Sequence, residues 1–215
     1  MKRCLALSLL LITTGCGLPD EERSRTVDAD AVPYNLLTPA EQEPEDSNAG
    51  PMHPRGEPVV FWLRRDGRLT TAPVGATCDD PVAEVVEDVL GVLSASPTSE
   101  ESGAGRTSAV PPSARLELVA LEDATAVVDL DPVVLGDAER LPLAVGQLVL
   151  SVSSAPGVDG LRLVTSGEAV AVPLPDGALA DRPVTADDYV ELLPPRFVVG
   201  TGPGRTLRND VGCPT

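Results

Sequence analysis

Thr125-Ala-Val-Val-Asp-Leu130, with Leu141-Pro-Leu-Ala-Val-Gly-Gln-Leu-Val-Leu150 after it, is the stretch whose reading decides the fold. The first part is rich in β-branched residues and reads as a strand. Its partner precedes it: Leu116-Glu-Leu-Val-Ala-Leu121, turned back by Glu122-Asp123-Ala124. The second part belongs to an amphipathic helix spanning roughly Arg140 to Ser154. Leu141, Ala144, Val145, Leu148, Val149 and Val152 recur along it at the spacing of one helical face.

The same pattern continues on either side. Val59-Val60-Phe61-Trp62-Leu63 is a β-rich run, and Leu69 to Val74 is a second. Asp66-Gly67 between them signals a hairpin turn. Asp79-Asp80-Pro81 predicts a helix start, with an aspartate cap and proline at the first helical position. Val82, Val85, Val86, Val89, Leu90 and Leu93 then line one face, with Glu84, Glu87 and Asp88 on the other. Ser94 to Pro112 is small, polar and proline-bearing, and reads as a loop. Downstream, Leu161–Val164 and Ala169–Val172 read as strands turned at Ser166-Gly167, and Tyr189–Leu192 as a short closing segment. The tail from Pro194 to Cys213 reads as irregular. Hairpins separated by helices predict an α+β domain: an antiparallel or mixed sheet with two helices packed on one face. The domain is expected over residues 58–193, the tail over 194–215.

The N-terminus carries a different signal. Lys2 and Arg3 precede an apolar run from Leu5 to Ile12. That run suits a signal peptide and falls short of the roughly 20 apolar residues a membrane span needs. Thr13-Thr14-Gly15-Cys16 follows and resembles the bacterial lipobox, with Thr13 where leucine is usual. The resemblance implies cleavage of residues 1–15 and lipidation of Cys16. The expected location is the extracytoplasmic face of the cell membrane, held by lipid. Each buried methylene contributes about 0.8 kcal/mol, so two acyl chains anchor stably where one does not. Residues 16–57 are rich in Pro, Glu, Asp and Ser and are read as a disordered acidic tether.

The net charge of −17 argues against nucleic-acid binding, which needs clustered Lys and Arg. Of the four cysteines, Cys4 would leave with the signal peptide and Cys16 would carry lipid. Cys78 and Cys213 remain, an even pair expected to form a disulfide in an oxidising compartment, with two free thiols as the alternative. No metal site is expected, because two cysteines and a single histidine do not supply tetrahedral zinc.

Catalytic sets are missing. The one histidine, His53, falls in the tether, which argues against Ser-His-Asp, Cys-His and histidine-zinc chemistry. Gly200-Thr-Gly-Pro-Gly204 lacks the lysine and helix of a phosphate loop. Asp129 and Asp131 stand two apart and would share one face of a strand. A glycosidase needs two carboxyls about 5–10 Å apart across a cleft. The plainer reading is that Asp129 ends its strand and orients the next turn. Trp62 is a candidate ligand surface, though a strand-end tryptophan more often belongs to the core.

Ala126-Val-Val-Asp-Leu-Asp131, Leu141 to Leu150 with its Gln-Leu-Val element, and Pro156-Gly-Val-Asp-Gly-Leu-Arg-Leu-Val164 together resemble the GerMN domain of sporulation and germination proteins. That domain also occurs in actinobacterial lipoproteins. The opening strand and the Pro81 to Leu93 helix fit its first half, so the resemblance covers roughly residues 58–190. The sequence departs from it at Asp131, at Ser151-Val152 and at Ser166. The resemblance implies a non-enzymatic module of the cell envelope, without a cofactor, and carries over no binding residue. The expected partners are the membrane, through the anchor, and an envelope protein or cell-wall ligand. The alternatives are a carboxylate-dependent cell-wall glycan hydrolase using Asp129 and Asp131, or a small-ligand binder with a pocket near Trp62.

Overall fold

The computed structural model describes residues 56–112, 114–130 and 139–214. The expected signal peptide, Cys16, the tether up to residue 55 and Asp131 lie outside the described residues.

β1 (Val59–Leu63) and β2 (Leu69–Pro73) pair antiparallel, with Leu63 opposite Leu69. Arg64 N–H donates to Arg68 C=O at 2.8 Å, and Gly67 N–H to Arg64 C=O at 3.0 Å. Gly67 has φ +77°. This is a three-residue hairpin loop whose last position needs a left-handed conformation, hence glycine. α1 (Val82–Ala95) buries Val85, Val86, Val89, Leu90 and Leu93, the face its periodicity predicts. Its expected aspartate cap is corrected: Pro81 is the N-cap residue, and Asp80 turns away to accept from Thr77 N–H and Thr77 Oγ1. One position before the cap, its carboxylate is committed to that local turn. The expected loop after α1 is corrected too, since it holds a short helix, α2 (Ser99–Gly103). Thr98 and Glu101 form a capping box that satisfies its first amides reciprocally.

β3 (Glu117–Glu122), β4 (Thr125–Asp129), β5 (Gly160–Thr165) and β6 (Glu168–Ala169) form the main sheet in that order. β9 (Val184–Thr185) pairs with the other end of β5. β4 and β5 run parallel and the other pairs antiparallel, so the sheet is mixed. A parallel pair needs a crossover, and α3 (Leu141–Val152) supplies it. α1 packs on β3, α3 on β5, and the helices touch each other. Both therefore cover one face, as expected. Their side chains meet Ala126, Val128, Leu161 and Leu163 in one apolar core. Two turns, Asp123-Ala124 and Ser166-Gly167, have positive φ at both positions (43° and 62°; 53° and 84°). That suits two-residue hairpins, whose twist matches the strands.

The expected strand at Ala169–Val172 is split. Glu168 and Ala169 pair with β5, while β7 (Val172–Pro173) pairs with β8 (Leu179–Ala180). Val184 and Thr185 occupy the length of β5 that a longer β6 would have covered. The tail is more ordered than expected: β10 (Val198–Val199) pairs with β11 (Thr206–Leu207).

α3 carries a second, polar stripe. Gln147, Ser151 and Ser154 stand at i, i+4 and i+7 and are all buried. Ser151 Oγ accepts from Phe61 N–H at 2.9 Å, and Ser154 Oγ accepts from Val59 N–H at 2.9 Å. Alternate amides of a strand point to the same edge. The next one, Leu63 N–H, donates to Thr107 C=O at 2.8 Å. The edge of β1 away from β2 is thus satisfied by two serine hydroxyls and one bridge rather than by a neighbouring strand. Gln147 Oε1 accepts from Ala109 N–H at 2.8 Å, holding the segment that returns from α2. Ser154 C=O accepts from Cys213 N–H, and Gly212 packs so closely that an added Cβ would stand 2.7 Å from Ser154 Cα.

A 3-10 turn (Ala186–Leu192) closes the domain against α3. Its fully buried Tyr189 donates its hydroxyl to Pro173 C=O. Gly146 admits it, because an added Cβ would stand 2.5 Å from Leu192 Cδ1 and 2.9 Å from Tyr189 Cδ1. Burial pushes the Tyr189 phenol above its ordinary range. Asp188 opens the turn. It accepts from both terminal nitrogens of Arg182, at 2.9 and 2.6 Å, and from Thr185 N–H at 2.8 Å. The Arg182 hydrogen bond chiefly holds the Asp188 carboxyl below its usual range, against the opposing effect of burial.

Ser154→Ala orphans a buried backbone amide, so it should cost about 1–3 kcal/mol in denaturant unfolding. Asp188 contributes stability when ionised, in full above the ordinary carboxylate pKa near 4 and lost as pH falls through its lowered folded value. Asp188→Asn should therefore cost about 1–2 kcal/mol at neutral pH, and the deficit should narrow in melts recorded below about pH 4.

Candidate functional site

Trp62, a candidate ligand surface, is fully buried in β1. Its Nε1–H donates to Glu101 Oε1 at 2.7 Å. The same carboxylate receives Thr98 N–H on its other oxygen. The indole is thus a core residue that pins α2 onto the hairpin, which corrects the ligand-surface reading: β1 is covered on both faces, so both Phe61 and Trp62 are inside.

Asp129, half-buried, ends β4 with Glu117 opposite it in β3 and Val164 opposite it in β5. Among the described residues no group of three or more His, Cys, Asp or Glu is placed to hold a metal. A small apolar cavity of about 20 Å³ lies between α3, β5 and β7. Leu130, Leu141, Val145, Leu163 and Val172 line it, and neither Asp129 nor Trp62 reaches it. One water needs about 10–15 Å³, so the space amounts to about one water. Cys78 and Cys213 are joined, with Cα atoms 5.6 Å apart, and tie the tail to the loop before α1.

The surface feature that stands out lies at the hairpin turn that Asp66-Gly67 signals. β1, β2 and the segment at Thr107 lie side by side, with Leu63 flanked by Leu69 and by Thr107. One step further along this register, Arg64 is flanked by Arg68 on one side and Arg106 on the other. Strands lie about 4.8 Å apart, so three guanidinium-bearing positions form a row across the hairpin end. Arg68 Nη1 donates to Leu193 C=O at 2.9 Å. Arg196 Nη2 donates to Thr70 Oγ1 at 3.1 Å, and its guanidinium lies 4.7 Å from the Phe197 ring centre. Thr70 is two residues from Arg68, so Arg196 extends the row on the same face. Arg65, at the tip, lies against Gly105, where an added Cβ would stand 3.2 Å from its Nε. Asp66 is 3.6 Å from Arg64, and Glu101 is 4.0 Å from Arg106. Burial, with a smaller contribution from Arg64, lowers the pKa of Arg196. Like charges directly opposite on a sheet are destabilising. The available sequence signal was three arginines within one hairpin turn of a chain whose net charge is −17.

Residues 59–171 match the Germane family, described as sporulation and spore germination. No curated protein matches the sequence. Among solved structures, the chain is similar to the tandem GerMN domains of the sporulation protein GerM from Bacillus subtilis, at 16% identity, over 60% of this chain and 46% of that one, with a TM-score of 0.45. It is also similar to the first GerMN domain of the same protein, at 17% identity, over 60% of this chain and 92% of that one, with a TM-score of 0.41. The chain therefore spans less than half of the tandem structure. The strands and helices on which the GerMN resemblance rests all lie within the matched span, which covers just over half of the sequence, and the chain belongs to the Germane family of sporulation and spore-germination domains.

Proposed function

We propose that this chain is a non-catalytic interaction module, held at the outer face of the cell membrane by lipid on Cys16, where it binds a protein or other component of the envelope. The observation that carries the extracytoplasmic placement is the Cys78–Cys213 disulfide. Structural disulfides persist in oxidising compartments and are rare where thiols are kept reduced. It agrees with the charged, apolar and small-residue order of residues 2–16. Among the described residues no helix is long and apolar enough to cross a membrane. Attachment would thus rest on the acyl chains. The non-catalytic reading draws on the family, which has no assigned catalytic residues, while the placing of Trp62 in the core counts against the small-ligand alternative.

The test uses cells fed an alkyne fatty acid. The wild-type chain should be labelled and should sediment with membranes. Cys16→Ser should lose the label and leave the membrane fraction. Labelling that persists in Cys16→Ser would overturn anchoring at this residue. Cross-linking on intact cells should capture a partner, and a chain that captures none would count against the binding role.

A further inference from the structure

We propose that the arginine row at the hairpin end is the docking surface for a short acidic segment of a partner protein. The proposal rests on the interaction-module reading and names the chemistry of its partner.

The geometry is the first ground. Arg106, Arg64 and Arg68 stand on adjacent extended segments, and Arg196 continues the row through Thr70. Such a juxtaposition is costly within the molecule, and its acids are Asp66 and Glu101. Glu101 is already engaged by Trp62 and Thr98. The field of the row therefore faces outward, in a chain otherwise strongly acidic. A local conflict of this kind marks the places where fold consistency yields to function.

Preorganisation is the second ground. Arg68 is held by Leu193 C=O, Arg196 by Thr70 and Phe197, and Arg106 leans on Glu101. Each keeps further N–H donors in a fixed planar fork that matches a carboxylate. Less side-chain entropy is then lost on binding.

Two observations favour a polypeptide over an anionic polymer. Phe197, whose ring centre lies 4.7 Å from the Arg196 guanidinium, is half-buried, an apolar border suited to a side chain of a peptide. The rest of the chain is acidic, and charges are screened only beyond about 8 Å. A long polyanion would run from the patch onto repelling surface. A short acidic segment would not.

The experiment uses the purified full chain and a fluorescein-labelled peptide of about 12 residues alternating Glu and Leu, read by anisotropy, with inorganic polyphosphate as competitor. Arg64→Gln with Arg68→Gln and Arg196→Gln should weaken peptide binding by about tenfold or more, and added salt should weaken the wild type. Arg64→Gln with Arg65→Gln keeps the Arg68 and Arg196 anchors, and should still lose several-fold with an unchanged melting curve. Arg115→Gln with Arg162→Gln, arginines just before β3 and within β5, should bind like the wild type. Peptide affinity unchanged in both hairpin variants would overturn the proposal. So would polyphosphate binding more tightly than a peptide of equal charge, or wild-type dimers that the hairpin variants abolish, which would make a second copy the occupant. A cellular cross-linking partner captured equally by the Arg64→Gln/Arg65→Gln variant would overturn the patch and leave the interaction role standing.

Discussion

The fold depends on how the far edge of β1 is satisfied. A five-residue strand paired on one side exposes unmet amides on the other. Here they are met by Ser151 and Ser154 of α3 and by the bridge at Thr107. On that edge the strand is therefore fixed in register against a helix rather than against another strand. Everything around the hairpin follows from that register. Phe61 enters the core and meets Phe197 edge-on at 6.1 Å. Trp62 faces the other way and takes Glu101. Thr107 is drawn alongside Leu63, which brings Arg106 next to Arg64. The same serine, Ser154, receives the tail at Cys213 N–H, where the disulfide joins Cys78 across a sequence separation of 135. One polar stripe thus links the first strand, the crossover helix and the last residues of the domain.

Much of this was legible in the sequence, because hydrophobic period reports burial directly. The apolar faces of α1 and α3 and the β3–β4 and β5–β6 turns lie where spacing and turn residues placed them. What local pattern does not reveal is polar. Gln147, Ser151 and Ser154 have the spacing of a face, but polar side chains at a helical spacing do not distinguish a buried face from a solvated one. Thr98 and Glu101 form a capping box that its residues announce, inside a stretch whose serine and proline content reads as loop. Asp80 shows the converse: a good capping residue, one position too early, was taken by Thr77. β6 ends early because β9, remote in sequence, holds the rest of the β5 edge, a competition that no local pattern encodes.

The candidate site was less legible than the fold. Trp62 and the aspartates attract attention as residue types, yet Trp62 is a core anchor and Asp129 is a strand end opposite another acid. The arginines read as ordinary turn residues until three separate segments are laid side by side. Two of those segments, Arg64 to Arg68 and Arg106, are brought together by the Leu63–Thr107 bridge, and Arg196 arrives from the closing tail. A net charge sums over the whole chain and hides such a local field.

The central claim, that serine hydroxyls of α3 stand in for a neighbouring strand of β1, is tested most directly by amide hydrogen exchange at Val59 and Phe61. The account predicts protection at both amides comparable to that of the central strands β4 and β5. It also predicts a selective loss of protection at Phe61 in Ser151→Ala, with β4 and β5 unaffected. Fast exchange at both amides in the wild-type protein, or undiminished protection of Phe61 in Ser151→Ala, would contradict it.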